Sequence, residues 1–197
     1  MLYRLLITAT MLLVMAATSH AVMIINIYED GGKVYATASG ALDPSGLRRT
    51  GSGGASADAA ISPDTASFST GETAGDYYTD FTASPYSFGA NIRTSFDKAS
   101  TNDFEFTLNR TYLTIGSGYA GEVFDFSGRF NGASLASLGM DVGTYNWEWS
   151  SDSIQMNITL TPPVEPTPTP TPEPATLFLL GSGLAGLAAT RKKANKA

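Results

Sequence analysis

The chain has 197 residues, with no cysteine, one histidine, 12 basic and 18 acidic side chains. Five of the basic residues lie outside residues 22–174, whereas every acidic residue lies inside. This stretch therefore keeps 7 basic residues and has a formal charge of −11. A surface of this sign repels phosphate backbones, which argues against nucleic acid as a partner.

Residues 1–21 have the pattern of a secretory signal peptide. Arg4 gives a basic start, Leu5–Ala17 is an apolar run of 13 residues, and small residues at Ser19 and Ala21 predict cleavage after Ala21. The apolar run is shorter than the roughly 20 residues of a spanning helix, although an anchor that stays attached is the alternative. We expect the Sec export machinery and signal peptidase as partners.

Loss of the signal peptide removes the only histidine, His20. A mature chain without histidine or cysteine cannot form a Ser-His-Asp or Cys-His nucleophile, nor a common zinc site. It also has no disulfide bonds. Its stability must come from a buried core, with bound cations as an additional source. No cofactor is expected, and Ca²⁺ is the alternative.

Strand patterns dominate residues 22–160, the predicted body. Met23–Tyr28 and Lys33–Leu42 flank the turn residues Glu29–Gly32 and predict a first hairpin. Thr144–Trp149 alternates aromatic and polar side chains and predicts the first strand of a second hairpin. The alternating apolar residues of its second strand are Ile154, Met156, Ile158 and Leu160.

Shorter strands are predicted between the hairpins at Phe104–Leu108, Tyr112–Ile115 and Val123–Phe126. Ala133–Leu138 predicts a single helical turn, and residues 43–75 predict a loop or weak strands. Several short strands separated by turn residues indicate an all-β fold, a single antiparallel β-sandwich with a jelly roll as one variant. The prediction for the whole chain is this sandwich with an N-terminal signal peptide before it and a C-terminal single transmembrane helix after it.

Three segments follow the body. Residues 161–174 hold seven of the ten prolines and predict an extended Pro/Thr-rich linker. Residues 175–190 are uncharged and mostly apolar, which predicts a short membrane helix. The tail at residues 191–197 is basic and predicts a membrane stop at Arg191, Lys192 and Lys193 on the cytoplasmic side, with the body exported.

Residues 172–197 resemble the PEP-CTERM sorting signal of Gram-negative bacteria. Pro172, Glu173 and Pro174 match its Pro-Glu-Pro motif, and the apolar helix and basic cluster follow in the family's order. The resemblance implies that exosortase recognises these three residues and cleaves near them. The inner membrane then holds the chain transiently, before transfer to the cell surface or to an exopolysaccharide matrix. An ordinary membrane anchor with a proline stalk is the alternative.

Parts of the body are also similar to a middle region found in a subset of PEP-CTERM proteins. The matching residues are Ala136–Met140, Gly143–Tyr145 with Trp147 and Trp149, and Asp152–Ile154, with weaker support from Pro85–Gly89. Residues 116–121 depart from that pattern. The similarity implies a shared β fold and supplies no activity.

Three function classes fit this organisation. The first is a non-enzymatic cell-surface or extracellular-matrix protein, sorted by exosortase and associated with exopolysaccharide or biofilm. Such a protein needs an export signal, a spacer, a sorting tail and an acidic, soluble body, and the sequence predicts all four.

The second class is a carbohydrate- or calcium-binding surface module. Tyr145, Trp147 and Trp149 form an aromatic row, which at strand spacing is more often core than a sugar platform. Weak calcium candidates with hard oxygen ligands lie in two turn-rich stretches, and neither has EF-hand spacing. They are Asp76 and Asp80 in the first stretch, and Asn102, Asp103 and Glu105 in the second.

The third class is an extracellular glycoside hydrolase that uses a pair of carboxylates. Eighteen acidic residues make some neighbouring pair inevitable by chance, so the sequence gives no positive support to this class. The first residues to substitute are Glu122, Asp125 and Glu148. The sequence therefore predicts that the protein is not an enzyme.

Overall fold

A computed structural model gives the structure of the protein and describes residues 22–55, 58–71, 73–102 and 105–164. The chain divides into two units at Pro163 and Val164. All elements described below belong to the first unit. The predicted signal peptide, membrane helix and basic tail lie outside the described residues.

Fourteen β-strands form in the described residues. They are β1 Met23–Asp30, β2 Lys33–Gly40, β3 Arg48–Ala55, β4 Ala60–Ser62, β5 Ser67–Ser69, β6 Thr73–Thr79, β7 Thr82–Ser84, β8 Thr94–Ser95, β9 Lys98–Thr101, β10 Phe106–Leu108, β11 Leu113–Gly116, β12 Phe124–Asn131, β13 Gly143–Glu148 and β14 Ser153–Thr159. Two short 3₁₀ turns begin at prolines, at Pro44–Gly46 and Pro63–Thr65.

The strands form two seven-stranded sheets. Sheet A has the order β7-β13-β14-β1-β2-β12-β9, and sheet B has the order β3-β6-β11-β10-β5-β4-β8. Each sheet contributes buried apolar side chains to one continuous core. The predicted all-β class is confirmed, and the arrangement is that of a sandwich.

Aromatic side chains join the two sheets across the core. Phe68 on β5 meets Phe126 on β12 edge to face, with ring centroids 5.4 Å apart. Phe106 on β10 meets Phe124 on β12 in the same way, at 5.2 Å. Because a fully buried Phe side chain stabilises a fold by about 1.5–3 kcal/mol relative to exposure, these contacts hold the sheets face to face.

The first predicted hairpin is confirmed as the β1–β2 pair. Met23, Ile25 and Ile27 are fully buried, whereas the residues between them are half-buried, so β1 presents one apolar face. Gly31 and Gly32 make the two-residue loop and both have positive φ, 56° and 73°. This is the conformation that a tight hairpin turn requires and that glycine adopts without steric cost.

The second predicted hairpin is confirmed as the β13–β14 pair, whose register joins Gly143 to Ile158 and Glu148 to Ser153. The sequence predicts a purely antiparallel sandwich, and in one respect that is wrong. β1 and β14 pair in parallel, with Met23 opposite Ile154 and Tyr28 opposite Thr159. β2 occupies one edge of β1 and β13 occupies one edge of β14, so the parallel pair joins the two remaining edges and keeps both buried faces on one side of sheet A.

Residues 43–75, predicted as loop or weak strands, supply β3, β4, β5 and the start of β6 to sheet B. The short strands β4 and β5 carry few apolar residues, but Ile61 and Phe68 are buried beneath sheet A. Ala133–Leu138 forms the predicted turn, with one helix-type hydrogen bond of 3.0 Å from the Leu138 amide to the Ser134 carbonyl.

Candidate functional site

The aromatic row of β13 points into the core. Trp147 has no exposed surface, and its Nε1 donates a 3.2 Å hydrogen bond to the Asn109 carbonyl. Tyr145 is 5% exposed, and its hydroxyl donates to the Asp141 carbonyl at 2.8 Å. Burial raises the pKa of Tyr145 above its ordinary value, and the charge of Asp141 adds to the shift. Rings buried to this degree cannot stack on a sugar, so the structure places Tyr145 and Trp147 in the core instead of on a ligand-facing surface.

Trp149 lies just beyond β13 and is half-buried against the core. Its Nε1 donates a 2.8 Å hydrogen bond to the Asp43 carbonyl, which also accepts a bond from the Ser151 hydroxyl. The indole therefore fastens the β13–β14 turn to the segment before β3. The N–H group of the indole already has a hydrogen-bond acceptor within the protein.

The first pair of calcium candidates forms ion pairs with arginines. Arg49 donates to Asp76 at 2.6 Å, and Arg48 donates to both carboxylate oxygens of Asp80 at 3.0 and 3.3 Å. These hydrogen bonds lower the pKa of each carboxyl below its ordinary value. Asp76 and Asp80 are four positions apart along an extended segment, on the order of 13 Å, so they do not converge on one cation.

In the second group of calcium candidates, the described side chains also contact other parts of the protein. Asn102 Nδ2 donates to the Val123 carbonyl at 2.7 Å, and its Oδ1 accepts from the Asp125 amide at 3.3 Å. Glu105 lies against Gly71, and Asp103 is outside the described residues. Among residues 22–55, 58–71, 73–102 and 105–164, no group of three or more acidic or histidine side chains is placed to hold a metal ion.

The candidate hydrolase carboxylates lie on the surface. Asp125 is on β12 and Glu148 is on β13, and three strands separate those two strands in sheet A. Four strand spacings amount to about 19 Å, well beyond the roughly 5–10 Å that spans a glycosidic bond. Glu122 accepts a 2.7 Å hydrogen bond from the Ala120 amide in its own loop.

The outer face of sheet A, turned away from sheet B, carries a row of five side chains that sequence reasoning missed. Cross-strand pairing aligns the row on strands β14, β1, β2, β12 and β9. We call it the tyrosine–arginine row, and it consists of Thr159, Tyr28, Tyr35, Arg129 and Lys98. The two tyrosine rings stack at 5.5 Å between centroids, with 20° between their planes.

A second row runs beside the first on the same face, and we call it the amide–hydroxyl row. It consists of Asn157, Asn26, Thr37, Ser127 and Ser100, paired across the same five strands. Asn157 Nδ2 donates to Asn26 Oδ1 at 3.1 Å, and Gln155 Nε2 donates to Asn157 Oδ1 at 2.9 Å. This row is polar and uncharged.

A shallow cleft opens where the two rows cross strands β2, β12 and β9. Tyr35, Arg129 and Lys98 line it from one row, and Ser127 and Ser100 from the other. The β1–β2 hairpin could have revealed the face in advance, because alternation assigns Tyr28 and Tyr35 to the side opposite the core. The position of Lys98 in the cleft could not be predicted from the sequence, because β9 is short and has no apolar alternation that marks it as a strand.

The sorting candidates lie outside the described residues. These are Ala21 at the predicted signal cleavage, the Pro172-Glu173-Pro174 motif, and the basic stop at residues 191–193. Across the part of the chain that the structure describes, no helix is long and apolar enough to span a membrane.

A family model described as the PEP-CTERM protein-sorting motif matches residues 170–193. The chain carries a PEP-CTERM sorting motif. The matched range includes Pro172, Glu173, Pro174, the whole apolar segment at residues 175–190 and the basic residues up to Lys193. The resemblance inferred from the sequence is thereby confirmed.

The PEP-CTERM motif identifies the end of the chain as a sorting signal and implies processing by exosortase. It also implies export, a membrane-anchored intermediate and delivery to the surface. The comparisons with curated proteins and with solved structures gave no match. The match covers residues 170–193 and does not include the β-sandwich.

Proposed function

We propose that the protein is an exported, non-enzymatic component of the cell surface or extracellular matrix that associates with exopolysaccharide. Exosortase releases it from the inner membrane through the PEP-CTERM motif. The single observation that carries this proposal is the motif at residues 170–193, placed directly after a proline-rich linker and a folded β-sandwich. A sorting tail on a folded body is the organisation of a protein whose place of work is outside the cell.

The proposed mechanism follows from the physical character of each segment. The apolar residues 175–190 hold the chain in the inner membrane, with the basic residues 191–197 on the cytoplasmic side. A proline-rich sequence favours an extended chain, and at about 3.1 Å per residue the 14 residues of the linker can reach on the order of 40 Å. Cleavage near Glu173 frees the body.

The character of the body supports a matrix role without catalysis. Residues 22–174 have a formal charge of −11, which keeps the protein soluble among hydrated polymers. The outer face of sheet A presents amides and hydroxyls, which exchange hydrogen bonds with sugar hydroxyls as readily as with water. The candidate carboxylates Asp125 and Glu148 stand too far apart to act on one glycosidic bond.

Mass spectrometry of the mature C-terminus tests the sorting step directly. In cells that contain the exosortase, we expect the chain to end close to Pro172–Pro174. In cells without it, we expect the intact Ala197 terminus and retention in the membrane fraction. An intact terminus in both strains refutes the proposal.

A matched pair of variants separates motif recognition from general damage. Glu173→Gln changes the motif, whereas Glu165→Gln makes the same chemical change in the linker outside the matched residues. We expect the first variant to accumulate unprocessed and the second to be processed normally. Equal processing of both variants argues against recognition through the motif.

A further inference from the structure

We propose that the cleft on the outer face of sheet A binds acidic sugar units, uronic acids, of an exopolysaccharide. The site comprises Tyr35, Arg129, Lys98, Ser127 and Ser100. This inference rests on the proposed function and names the chemistry of the polymer that the body contacts. Four observations support it, and each concerns a different property of the face.

The first observation is charge placement. Only seven basic residues lie in residues 22–174, and Arg48 and Arg49 are neutralised by Asp80 and Asp76. Arg129 and Lys98 are direct cross-strand neighbours, and neither forms an ion pair with another described residue. A pair of cations on a strongly acidic protein creates a local region that attracts anions.

The second observation is the state of the Arg129 side chain. Its Nε is buried and has no hydrogen-bond partner within the described residues. Arg129 is half-buried between its cross-strand neighbours Tyr35 on β2 and Lys98 on β9, so its guanidinium has fewer accessible orientations than that of a fully exposed arginine. A preorganised guanidinium binds a carboxylate with less loss of side-chain entropy than a free one, and it can do so through two parallel hydrogen bonds.

The third observation is the polarity of the surrounding face. The amide–hydroxyl row continues the cleft with side chains that both donate and accept hydrogen bonds, as sugar hydroxyls do. The stacked Tyr28–Tyr35 pair adds half-buried aromatic surface next to Arg129, suited to the apolar face of a pyranose ring.

The fourth observation separates a polysaccharide from an anionic membrane. A membrane-binding face needs large apolar side chains that enter the bilayer. On β1, β2, β12 and β14, the large aliphatic residue that faces outward is Ile24, which is only half-buried among polar neighbours. Acidic groups lie on or beside the same strands: Asp30 stands opposite Lys33 at the end of the β1–β2 ladder, and Asp97, next to Lys98, accepts a 2.5 Å hydrogen bond from the Asn131 amide. A polysaccharide chain can place single carboxylates at the two cations of the cleft, whereas a plane of lipid headgroups would also meet these acidic side chains.

Binding of the purified full-length chain to immobilised polygalacturonate tests the proposal. We expect wild-type protein to bind at low salt, to be released as ionic strength rises, and to bind neutral dextran at least about tenfold more weakly. The double variant Lys98→Gln with Arg129→Gln should lose about tenfold or more in affinity. Circular dichroism should show an unchanged fold.

The matched control removes the same charge elsewhere. Arg93→Gln with Arg110→Gln changes two exposed arginines away from the cleft and should alter affinity by less than about twofold. Lys98→Gln alone, on an exposed strand, provides a second reading if the double variant is destabilised, and it should weaken binding about threefold or more. Equal losses in the cleft and control variants overturn the site.

Other outcomes separate this inference from the proposed function. Retention on the native exopolysaccharide without binding to polygalacturonate overturns the acidic-sugar assignment and leaves the proposed function standing. Failure to bind either polymer overturns both. Equal binding to dextran and polygalacturonate also overturns the assignment. If the double cleft variant loses much of its affinity for vesicles of anionic phospholipid but little of its affinity for polygalacturonate, the assignment is overturned in favour of a membrane.

Discussion

The backbone amide of Asp43 donates a 2.8 Å hydrogen bond to Oδ2 of Asp152, which lies 109 residues later in the chain. The other oxygen of Asp152 accepts from the Ser153 amide at 2.7 Å, and the side chain is 7% exposed. Through these bonds one carboxylate joins the segment after β2 to the turn between β13 and β14. Trp149 and Ser151 bond to the Asp43 carbonyl from the same turn, so the junction is held at both backbone groups of Asp43.

Asp152→Ala should destabilise the protein by about 2–3 kcal/mol, because it removes a nearly buried carboxylate that accepts hydrogen bonds from two backbone amides. Urea denaturation of the purified full-length chain measures this change in the free energy of unfolding.

Asp125→Ala is the matched control for the junction, since Asp125 is exposed on β12. It should change the free energy of unfolding by less than about 0.5 kcal/mol. Equal effects of the two substitutions contradict the structural role of Asp152.

Trp147→Ala should cost about 3–5 kcal/mol, the range for truncation of a large buried aromatic side chain. The cavity opens in the centre of the core, and the Asn109 carbonyl loses its donor. Trp147→Phe keeps part of the ring and should cost less. Thermal denaturation and polysaccharide retention are measured on the same samples. A Trp147→Ala protein that stays as stable as wild type but loses retention contradicts the core placement.

The pattern of neighbouring residues was sufficient to predict the two hairpins. The alternation of Met23, Ile25 and Ile27 and the Gly31-Gly32 loop define β1 and β2 from neighbouring residues alone. The same is true of the inward direction of Trp147, which follows from its position between polar residues. These features depend on side-chain periodicity and turn geometry, and both are local.

The pairing of strands that are distant in the chain could not be predicted from the sequence. The parallel contact of β1 with β14 joins residues more than 130 positions apart, and no local signal specifies it. The cleft has the same origin, because Tyr35, Arg129 and Lys98 become neighbours only when β2, β12 and β9 pair. The arginine partners of Asp76 and Asp80 also come from another strand. A cluster of acidic residues in the sequence therefore indicated a cation site where the fold supplies guanidinium groups.

Calcium should not raise the melting temperature through Asp76 or Asp80, since each carboxylate is paired with an arginine. We expect wild type and Asp76→Asn to respond identically to millimolar Ca²⁺ in thermal denaturation. A calcium-dependent rise that disappears in Asp76→Asn contradicts this expectation.

The same pairs set a weak dependence on acid. Arg49 lowers the pKa of Asp76, so the pair stabilises the folded state above the ordinary pKa of an aspartate and is lost as the pH falls through the lowered value. Arg49 is exposed and Asp76 is half-buried, so solvent still screens much of their attraction. Arg49→Gln should therefore lower the melting temperature by less than about 3 °C, and high salt should remove most of the difference. A loss several times larger, unaffected by salt, contradicts a surface ion pair.

Tyr145 should give the fold a dependence on alkaline pH. Burial raises its pKa above the ordinary value of 10.0, and Asp141 adds to the shift. A raised folded-state pKa contributes stability that is complete below the unfolded value and is lost as the pH rises from there through the folded value. Wild type should therefore lose more stability than Tyr145→Phe when the pH is raised from neutral to above 10.0.

At neutral pH the Tyr145→Phe variant should be less stable than wild type by about 1 kcal/mol, since the 2.8 Å hydrogen bond to the Asp141 carbonyl is gone. Urea denaturation across this pH range measures both effects. Tyr86→Phe, at an exposed position, is the control and should follow the wild-type curve. If Tyr145→Phe also follows that curve, the ionisation of Tyr145 is not coupled to unfolding, and its hydroxyl is open to water in the folded protein.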